Sequence, residues 1–517
     1  MKLYQYLLDA AQEVPDSIFL EFQTHKFPFS YVAAEAKKFA AGLVELGLKP
    51  QDSVGVMLPN VPQFAPLHYG TMMAGGVFVP MNVMLQGDEV EYLIRDSDIK
   101  VLVTYEMFVD SVNAGIKNLE HPPQVFVVGE KIGAHKPLAD LAGDATDFEP
   151  VVVDDDLPVM RLYTSGTTGK PKGAQITNAN VVANLTMTEA VFPVHEGDKT
   201  LCVLPLFHCF ALNGVLNGAV RNRTGVVLHP RFEVEACIKS LAEDGITSFA
   251  GVPTMYFNML KHPLINDVEF PQLRHGVSGG AAMPVEVLSQ WEEVTGRPIY
   301  EGYGLTETTV SVSINRPEKR KVGSIGRPYP KVEVKIVDED GKELPQGEVG
   351  ELAVKAPNVM LGYLNKPEAT AEAIRDGWFH TGDLGNIDED GFMYIVDRKK
   401  DMIIKGGFNI YPREIEEEIY ALPEVAEAAV IGIFDEAKGE LVRACIAFKP
   451  DQSVSEEDIR AHIGKRLARY KHPNDYVFLD ELPKGPTGKI LKRELRDRWE
   501  QWNKDRVDEP GAPVSSS

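Results

Sequence analysis

The chain has 517 residues, a length that predicts more than one domain. Its 53 Lys and Arg against 76 Asp and Glu give a net charge of -23, which argues against a nucleic-acid partner and against adhesion to anionic lipid. The four cysteines form no C-x-x-C pair or zinc spacing, so they predict buried thiols in a reducing, cytoplasmic environment. The most apolar run, 71–85, is interrupted by glycine and proline, and the first residues lack a long apolar core, so we expect neither integral membrane association nor a signal peptide.

Short apolar runs alternate with segments of helical spacing through the first 250 residues. This alternation predicts an α/β fold with parallel sheets covered by helices. The predicted helices are 4–13, 31–46, 64–73 and 89–96, and the predicted strands are 53–58, 77–79, 101–104, 158–163, 200–204, 226–228 and 248–250.

The pattern changes near Gly323, where alternating apolar runs are joined by Asp-Gly turns that are typical of hairpins. Residues 320–397 therefore predict a small antiparallel β unit attached to the α/β body. The charged run 397–401 separates the hairpin pattern before it from a mixed helix and strand pattern after it. Either a solvated turn or a hinge explains this run. Residues 401–503 predict a compact α+β domain, with a helix opening at Pro412, strands at 426–434 and 444–449, and a helix at 456–467. Residues 504–517 predict a disordered tail.

The segment Tyr163-Thr-Ser-Gly-Thr-Thr-Gly-Lys-Pro-Lys-Gly173 follows a predicted strand and is rich in glycine, hydroxyl and lysine side chains. Such a loop can turn its N–H groups toward an anion, so it predicts a polyphosphate site. The P-loop pattern fails because Gly169-Lys170 is followed by Pro171, and the dinucleotide G-x-G-x-x-G spacing is absent. A plain surface turn is the alternative.

Four further segments contain residue types that are suited to binding a ligand. Gly276-Val-Ser-Gly-Gly-Ala-Ala282 allows close approach of a flat ring or a phosphate, and Glu301-Gly-Tyr-Gly-Leu-Thr-Glu307 offers an aromatic that can stack on a base and a carboxylate suited to Mg²⁺. The Asp that ends Trp378-Phe-His-Thr-Gly-Asp383 can bind both hydroxyls of a ribose, and Pro486-Thr-Gly-Lys-Ile490 places a lysine on a tight turn.

Taken in this order over roughly 5–500, these segments resemble the acyl-adenylate-forming superfamily of acyl-CoA synthetases, luciferases and adenylation domains. The segments at 205–210, 249–256, 278–284 and 322–328 are most similar to bacterial fatty-acyl-CoA ligases. The resemblance implies a large N-terminal adenylation domain, 1–397, of two helix-covered sheets plus a small β-barrel unit. It also implies a hinge at 398–400 and a mobile α+β lid at 401–503. Asn178 stands where the superfamily usually has His, which we expect to alter local packing and not the chemistry.

The resemblance also implies the nucleotide site. Thr164 and Glu307 would hold Mg²⁺, Tyr303 would stack on adenine, Asp383 with Arg398 would bind the ribose, and Lys489 would stabilise charge between the substrate carboxylate and the α-phosphate. The full set implied for ATP and AMP is Thr164, Ser165, Gly166, Thr167, Thr168, Lys172, Gly279, Gly280, Ala281, Glu301, Gly302, Tyr303, Gly304, Thr306, Asp383, Ile395, Arg398 and Lys489.

The remaining implied residues concern the acid, coenzyme A and the lid. Lys400 would be the hinge, and Lys405, Gly406 and Gly407 would line the coenzyme A channel. His208 is either a gating or acyl-orienting residue of catalysis or a core histidine bonded to backbone. The acyl pocket would be lined by Phe207, His208, Phe210, Val252, Thr254, Gly276 and Ala282, where the small residues Gly276 and Ala282 leave depth for an aliphatic chain.

The function implied by the resemblance is ATP-dependent ligation of a medium- to long-chain fatty acid to coenzyme A through an acyl-AMP. The alternatives are an aryl- or cinnamate-CoA ligase and a module that loads a carrier protein with its acyl adenylate. An oxidative, light-emitting role is open to the same fold. A homodimer is possible.

Overall fold

The computed structural model describes residues 1–130, 132–164, 170–405, 408–435, 439–485 and 488–507. The helices are α1 (Leu3–Glu13), α2 (Phe29–Glu45), α3 (Phe64–Met73), α4 (Gly87–Ser97), α5 (Val109–Ile116), α6 (Asn178–Glu189), a π-helix (Phe210–Leu216), α7 (Asn217–Asn222), α8 (Val234–Glu243), α9 (Pro253–Lys261), α10 (Val285–Thr295), α11 (Pro367–Ala373), α12 (Pro412–Tyr420), α13 (Glu456–Gly464) and α14 (Lys492–Val507). Short 3₁₀ turns span Glu106–Phe108, Leu138–Leu141, Pro263–Asn266, Thr306–Thr308 and Arg469–Lys471.

The strands belong to four sheets. They are β1 (Ile18–Phe22), β2 (His25–Pro28), β3 (Ser53–Met57), β4 (Val77–Pro80), β5 (Ile99–Tyr105), β6 (Gln124–Val128), β7 (Lys136–Pro137), β8 (Pro158–Thr164), β9 (Lys172–Thr177), β10 (Lys199–Cys202), β11 (Gly225–Leu228), β12 (Ser248–Gly251), β13 (His275–Ser278), β14 (Ile299–Tyr303), β15 (Ser313–Ile314), β16 (Arg327–Pro328), β17 (Glu333–Val337), β18 (Gly350–Lys355), β19 (Gly362–Tyr363), β20 (Ile374–Arg375), β21 (Trp378–Ile387), β22 (Met393–Arg398), β23 (Ile403–Lys405), β24 (Phe408–Ile410), β25 (Val425–Asp435), β26 (Gly439–Phe448) and β27 (Asp475–Phe478).

Two large sheets with mostly parallel centres form the body, as the alternating pattern predicts. One has the order β16-β15-β14-β13-β12-β10-β11-β1-β2 and the other β19-β9-β8-β4-β3-β5-β6-β7. Helix α3 is buried on all sides and packs against α1 and α2, which explains its uniformly apolar sequence. In the first sheet β10, β12, β13 and β14 run parallel, so their carboxyl ends meet along one edge.

The predicted small β unit is an antiparallel sheet with the order β17-β18-β21-β20, and β22 also pairs with β21. We expected a barrel, but no pairing joins the outer strands β17 and β20 within the described residues, so the sheet is open. The reason is the ten-residue β21, which changes register between Leu384 and Gly385 and whose second half pairs with β22.

The C-terminal residues form a separate five-stranded sheet with the order β24-β23-β26-β25, and β27 lies parallel to β26. The helix predicted to open at Pro412 is α12, and its Ile415 and Ile419 are buried against this sheet. The apolar cluster that they join begins at Ile403 and contains no residue of the larger body within the described chain. The predicted α+β character of this unit is therefore confirmed.

All four cysteines are buried and free, as predicted. Asn178, where the superfamily has His, accepts a hydrogen bond from the Leu3 amide at 2.7 Å and donates to Asp155 at 2.8 Å. It therefore ties the first residues of the chain to the body. Among the described helices, none combines the length and the apolar character that crossing a bilayer requires.

Candidate active site

Glu307 and Thr164 lie together in a cleft between the two large sheets. Thr164 ends β8, and its Oγ1 is 3.5 Å from Oε1 of Glu307, which sits in the 3₁₀ turn after β14. Tyr363 donates a hydrogen bond to the same carboxylate oxygen at 2.8 Å. Glu307 is buried, so a pair of hydroxyl groups surrounds a carboxylate that has little contact with solvent.

The loop that follows Thr164 is only partly described. Ser165, Gly166, Thr167 and Thr168 lie outside the described residues. After the loop, the ammonium groups of Lys170 and Lys172 lie 4.9 and 5.1 Å from the ring centroids of Tyr92 and Tyr363. The two lysines are therefore held at the rim of the same cleft, where positive charge favours a phosphate.

Asp383 lies opposite, where β21 meets the carboxyl end of β14. Its carboxylate accepts a hydrogen bond from Tyr303 at 2.5 Å and pairs with Arg398 at 3.1 Å. Burial, reinforced by the Asp383 charge, raises the pKa of Tyr303 well above its usual range, and Asp383 raises the pKa of Arg398. Ile395 and Tyr303 belong to one apolar cluster, so four of the predicted nucleotide residues are neighbours.

The glycines predicted beside the nucleotide line this edge of the first sheet. Gly279, Gly280, Gly302 and Gly304 all face a cavity that Tyr303 also borders. Gly280 has a φ of 79°, a conformation that favours glycine. Glu301 differs from the prediction in its environment, since it is buried and its Oε1 accepts a hydrogen bond from the Met283 amide at 3.0 Å. Burial raises the pKa of Glu301 to about 7.

Lys489 reaches this cleft from the C-terminal unit. The preceding residue, Gly488, has a φ of 77° and its carbonyl oxygen lies 3.4 Å from the Thr254 hydroxyl of α9. The positive charge of Arg398 and the surrounding protein lower the pKa of Lys489 to about 8. The structure therefore brings Lys489, Arg398 and Asp383 into one electrostatic neighbourhood, although Lys489 and Asp383 are more than one hundred residues apart in the sequence.

His208 lies on the acid side of the cleft, and its ring nitrogen Nδ1 accepts a hydrogen bond from the Phe210 amide at 3.3 Å. Burial, together with the nearby charge of Lys489, lowers the pKa of His208 to about 4. The imidazole is therefore neutral at physiological pH. Because the ring both bonds to backbone and lines the cavity, it has features of each of the two predicted roles.

A cavity of about 220 Å³ runs from this cleft into the body. It lies between the first sheet on one side and α6, the π-helix and α7 on the other. At one end it is lined by His208, Gly279 and Tyr303, and at the other by the residues at the amino ends of the strands. Its apolar lining comes from Leu185, Phe192, Pro193, Val194, Phe210, Val215, Ala219, Phe249, Ala250, Val277, Val310, Ile314 and Tyr329.

Five of the predicted acyl-pocket residues lie outside this lining. Among the residues that border the cavity are His208 and Phe210 but not Phe207, Val252, Thr254, Gly276 or Ala282. Val252 and Thr254 instead contact the lid, because a Cβ on Gly488 would lie within 3.2 Å of both side chains.

Gly276 has a packing role that differs from the predicted one. A Cβ at this position would lie 2.7 Å from the hydroxyl of Tyr256, so the glycine makes room for that buried ring. Gly214 and Gly218 on the helical wall line the cavity, and the acyl role of Gly276 and Ala282 stays a prediction. A Cβ on Gly218 would meet open space.

The predicted hinge is a tight turn. The amides of Asp401 and Met402 both donate to the Arg398 carbonyl, at 2.9 and 3.0 Å, and Lys399 donates to the carbonyl of Gly382 at 2.9 Å. Burial lowers the pKa of Lys400, which lies within this turn. Lys405 follows on β23, and Gly406 and Gly407 lie outside the described residues.

Two polar residues of the site were not predicted. Tyr363 binds Glu307, and Glu351 accepts hydrogen bonds from the Gly382 amide at 3.0 Å and from His380 at 3.4 Å. Glu351 is buried on β18, like four of the other five residues of that strand. The signal that could have found Glu351 was a carboxylate within an otherwise apolar strand.

A family model for AMP-binding enzymes matches residues 7–364, and a model for the C-terminal domain of AMP-binding enzymes matches residues 414–489. The chain belongs to the AMP-binding enzyme family. A long-chain-fatty-acid–CoA ligase of Bacillus subtilis (strain 168) is 38% identical to it, over 95% of this chain and 94% of the relative. A feruloyl-CoA synthase of Amycolatopsis sp is 35% identical, over 91% and 94%.

Solved structures match this AMP-binding enzyme along nearly its whole length. The ATP-bound MatB of Rhodopseudomonas palustris is 32% identical and has a TM-score of 0.90, covering 97% of this chain and 100% of that one. The apo form of MatB gives a TM-score of 0.78 at the same identity and coverage. The enzyme therefore resembles the ATP-bound form of MatB more closely than the apo form.

The relatives give the class of reaction. This AMP-binding enzyme is an AMP-forming acid–CoA ligase, close to the bacterial fatty-acyl-CoA ligases. It uses ATP to convert a carboxylic acid to an acyl adenylate and coenzyme A to accept the acyl group.

Proposed function

We propose that this AMP-binding enzyme joins a long-chain fatty acid to coenzyme A and releases AMP and pyrophosphate. The observation that carries the proposal is the length of the apolar cavity. The lining follows β13 from Gly279, beside the reacting end, to Arg274, beyond the amino end of the strand. These five residue steps correspond to roughly 17 Å of strand, and an extended alkyl chain of that length contains about thirteen carbon–carbon bonds.

An aliphatic chain suits such a cavity because its walls are mostly apolar and each buried methylene contributes about 0.8 kcal/mol. The acid would enter with its carboxylate beside His208 and its tail between the first sheet and α7. Small residues on the wall, Gly214 and Gly218, leave the width that a chain needs. The neutral imidazole of His208 could orient the carboxylate without carrying positive charge.

The nucleotide would occupy the cleft between Glu307 and Asp383. Tyr303 would border the adenine with Gly279, Gly280 and Ala281, and Asp383 with Arg398 would bind the ribose hydroxyls. The residues after Thr164, with Lys172 at the rim, would hold the β- and γ-phosphates.

Glu307 and Thr164 would hold Mg²⁺. A single buried carboxylate with two hydroxyl neighbours, Thr164 and Tyr363, matches the preference of Mg²⁺ for few protein carboxylates and for oxygen ligands from water and phosphate. When bound, the ion would neutralise negative charge on the phosphates.

In the first half-reaction an oxygen of the fatty acid carboxylate attacks the α-phosphorus of ATP, and the bond to the β-phosphate oxygen breaks. Lys489 lies where it can stabilise the negative charge that develops between the two substrates, because it shares its neighbourhood with Arg398 and Asp383. Positioning and charge stabilisation are what phosphoryl chemistry mainly requires of a protein.

In the second half-reaction the thiol of coenzyme A attacks the acyl carbon, and AMP leaves with the electrons of the acyl–phosphate bond. We infer that Lys489 withdraws before this step, by rotation of the C-terminal unit about Lys400. Lys405, Gly406 and Gly407 would then line the channel for coenzyme A.

A second candidate function is ligation of an aryl acid. It is favoured by one observation, the feruloyl-CoA synthase that is 35% identical over 91% of this chain. An aromatic acid would fill only the part of the cavity near His208 and Phe210, and it would leave the far end at Arg274 without contact.

The test is AMP release from ATP with octanoate, palmitate or ferulate, each with and without coenzyme A. We expect the highest kcat/KM with palmitate, and turnover that requires coenzyme A. A preference for ferulate would support the second candidate, and acyl adenylate without use of free coenzyme A would support loading of a carrier protein.

A further inference from the structure

The backbone directly after Glu307 is in an unusual conformation. Thr309 has a φ of 58° and Val310 a φ of 136°, and neither residue is glycine. Such angles are disfavoured for residues with a Cβ, and most of all for a β-branched side chain. Two successive residues of this kind persist only where the surrounding structure holds them in place.

This turn sets the position of the segment that carries Glu307. The Val310 carbonyl oxygen packs against Gly304, where a Cβ would lie only 1.6 Å away. The Thr309 amide closes the 3₁₀ turn by donating to Thr306 at 3.0 Å. If Thr309 and Val310 relaxed to ordinary angles, the turn would move Glu307 relative to Thr164.

One set of anchors comes from the loop before β19. The Asn358 amide donates to the carbonyls of Thr308 and Ser311 at 2.6 and 2.7 Å, and the Thr309 hydroxyl donates to the Asn358 carbonyl at 2.7 Å. All of these groups are buried. These bonds fix the turn from one side.

The other anchor is a line of buried side chains that begins in α3. Tyr69 donates to Oδ1 of Asn217 at 2.7 Å, and His68 lies 3.1 Å from the same atom. Asn217 donates to Asn213 at 2.9 Å, and Asn213 donates to the Thr309 carbonyl at 3.0 Å.

The line is rigid and electrically neutral. Tyr69, Asn213 and Asn217 are fully buried, and burial lowers the pKa of His68 to about 3, so that ring carries no proton-dependent charge at physiological pH. Asn213 lies in the π-helix, an element that is frequent at functional sites because it departs from regular helical geometry.

We propose that Asn213 is a positioning residue, which holds the strained turn at Thr309 and Val310 and thereby fixes Glu307 for Mg²⁺-bound ATP. This rests on the proposed role of Glu307. The network through Asn217 to α3 transmits the rigidity of the helix layer to the turn. In this conformation the turn places Glu307 beside Thr164 and keeps the Val310 carbonyl against Gly304.

The test is calorimetric titration of the whole enzyme with ATP, once with Mg²⁺ and once with EDTA. The ratio of the two Kd values measures how much Mg²⁺ strengthens ATP binding. We expect Asn213→Ala to lower this ratio by about tenfold, as loss of a residue that orients a metal ligand does. Binding of ATP in EDTA should change little, because Asn213 acts through its bond to the Thr309 carbonyl and is not one of the residues proposed to bind the nucleotide.

Asn315→Ala is the matched control. Asn315 is also a buried amide, but it donates to Ser324 at 2.7 Å and accepts from the Lys321 amide at 2.9 Å. Its removal should lower the melting temperature, as loss of any buried amide does, and leave the Mg²⁺ ratio unchanged.

A second substitution tests the strain itself. Glycine adopts the φ of Val310 without steric cost, so in Val310→Gly the turn no longer needs its anchor. The double variant Asn213→Ala with Val310→Gly should therefore recover most of the Mg²⁺ ratio that Asn213→Ala loses. A double variant no better than the single one would contradict the inference.

Glu307→Gln separates this inference from the proposed function. Suppose that Glu307→Gln removes the strengthening of ATP binding by Mg²⁺, whereas Asn213→Ala leaves it unchanged. Glu307 then holds the ion, and Asn213 does not position it. If Glu307→Gln itself preserves the ratio, the role proposed for Glu307 is wrong and the inference is overturned with it.

Discussion

Lys489 is the residue whose position links the two parts of the molecule. It comes from the C-terminal unit, yet its pKa is governed by Arg398, which belongs to the edge of the larger body. Thr254 and Val252, predicted to contact the acid, hold the turn that presents this lysine. The chemistry of the site therefore depends on contacts that no single sequence motif contains.

Lys489→Ala should reduce formation of the acyl adenylate by about two orders of magnitude or more, since it removes a preorganised charge from the reacting phosphate. Pyrophosphate exchange measures this half-reaction. Thioester formation from supplied acyl-AMP should be nearly unaffected. Lys484→Ala, which removes a lysine paired with Glu427, is the control and should alter neither half-reaction. Equal losses in both half-reactions would show that the role assigned to Lys489 is wrong.

Sequence motifs predicted the charged residues of the cleft better than their partners. Thr164 with Glu307 and Asp383 with Arg398 are brought together as the resemblance implied. Tyr363 was missed because its hydroxyl reaches Glu307 only after β19 pairs with β9. Gly276 was assigned to the acid because glycine looks the same whether it makes room for a ligand or for a neighbouring ring.

At the scale of elements, the π-helix and α7 form one wall of the cavity that we propose for the acid. Gly214 and Gly218 are four residues apart and both line the cavity, so two positions of this wall lack a side chain beside the side chains of Phe210, Val215 and Ala219. The apolar pattern of the sequence does not predict this, because a π-helix shifts the side chains from the usual helical positions.

Gly218→Leu should shorten the acids that the enzyme accepts. The new side chain would extend into open space within the cavity, and leucine also favours the helix more than glycine does, so the fold should be retained. We expect the ratio of kcat/KM for palmitate to that for octanoate to fall by at least about tenfold.

Gly464→Leu, at the end of α13 and away from the cavity, is the matched control and should leave that ratio unchanged. If Gly218→Leu also leaves the ratio unchanged, the acyl chain does not pass α7.

The predicted bounds of the other helices and strands agree with the structure in some cases and differ in others. Helix α3 was predicted with its observed bounds because its apolar run is uniform. The helix predicted over 456–467 ends at Gly464, where the chain turns, and the hairpin of β1 and β2 was missed because its exposed residues are polar. The strand predicted over 444–449 begins at Gly439, since it pairs with β25 along that strand's length.

At the scale of the whole molecule, the C-terminal unit has its own apolar core and meets the body through the turn at 398–402 and the loop at Gly488. The sequence predicted that an antiparallel β unit gives way to an α+β domain at this point. It could not predict the arrangement of the two units, because that depends on contacts between residues such as Thr254 and Gly488. Rotation at the turn stays a prediction.

Lys400→Pro tests that rotation. Proline fixes φ, so the turn can no longer change its backbone angle. Pyrophosphate exchange should be retained, because the structure already has Lys489 in the cleft, and thioester formation should slow. Lys400→Ala removes the charge without restricting the backbone and should slow neither step comparably. A parallel loss of both half-reactions in the proline variant would argue against a hinge at this residue.

The proposal that the acid is a long-chain fatty acid is tested most directly by the dependence of kcat/KM on chain length, with saturated acids of increasing length and with ferulate. If the chain lies along β13, kcat/KM should rise by up to about fourfold for each added methylene and level off at about fourteen carbons, where the cavity ends. A maximum at short acids, or a higher value for ferulate than for every saturated acid, would contradict the proposal.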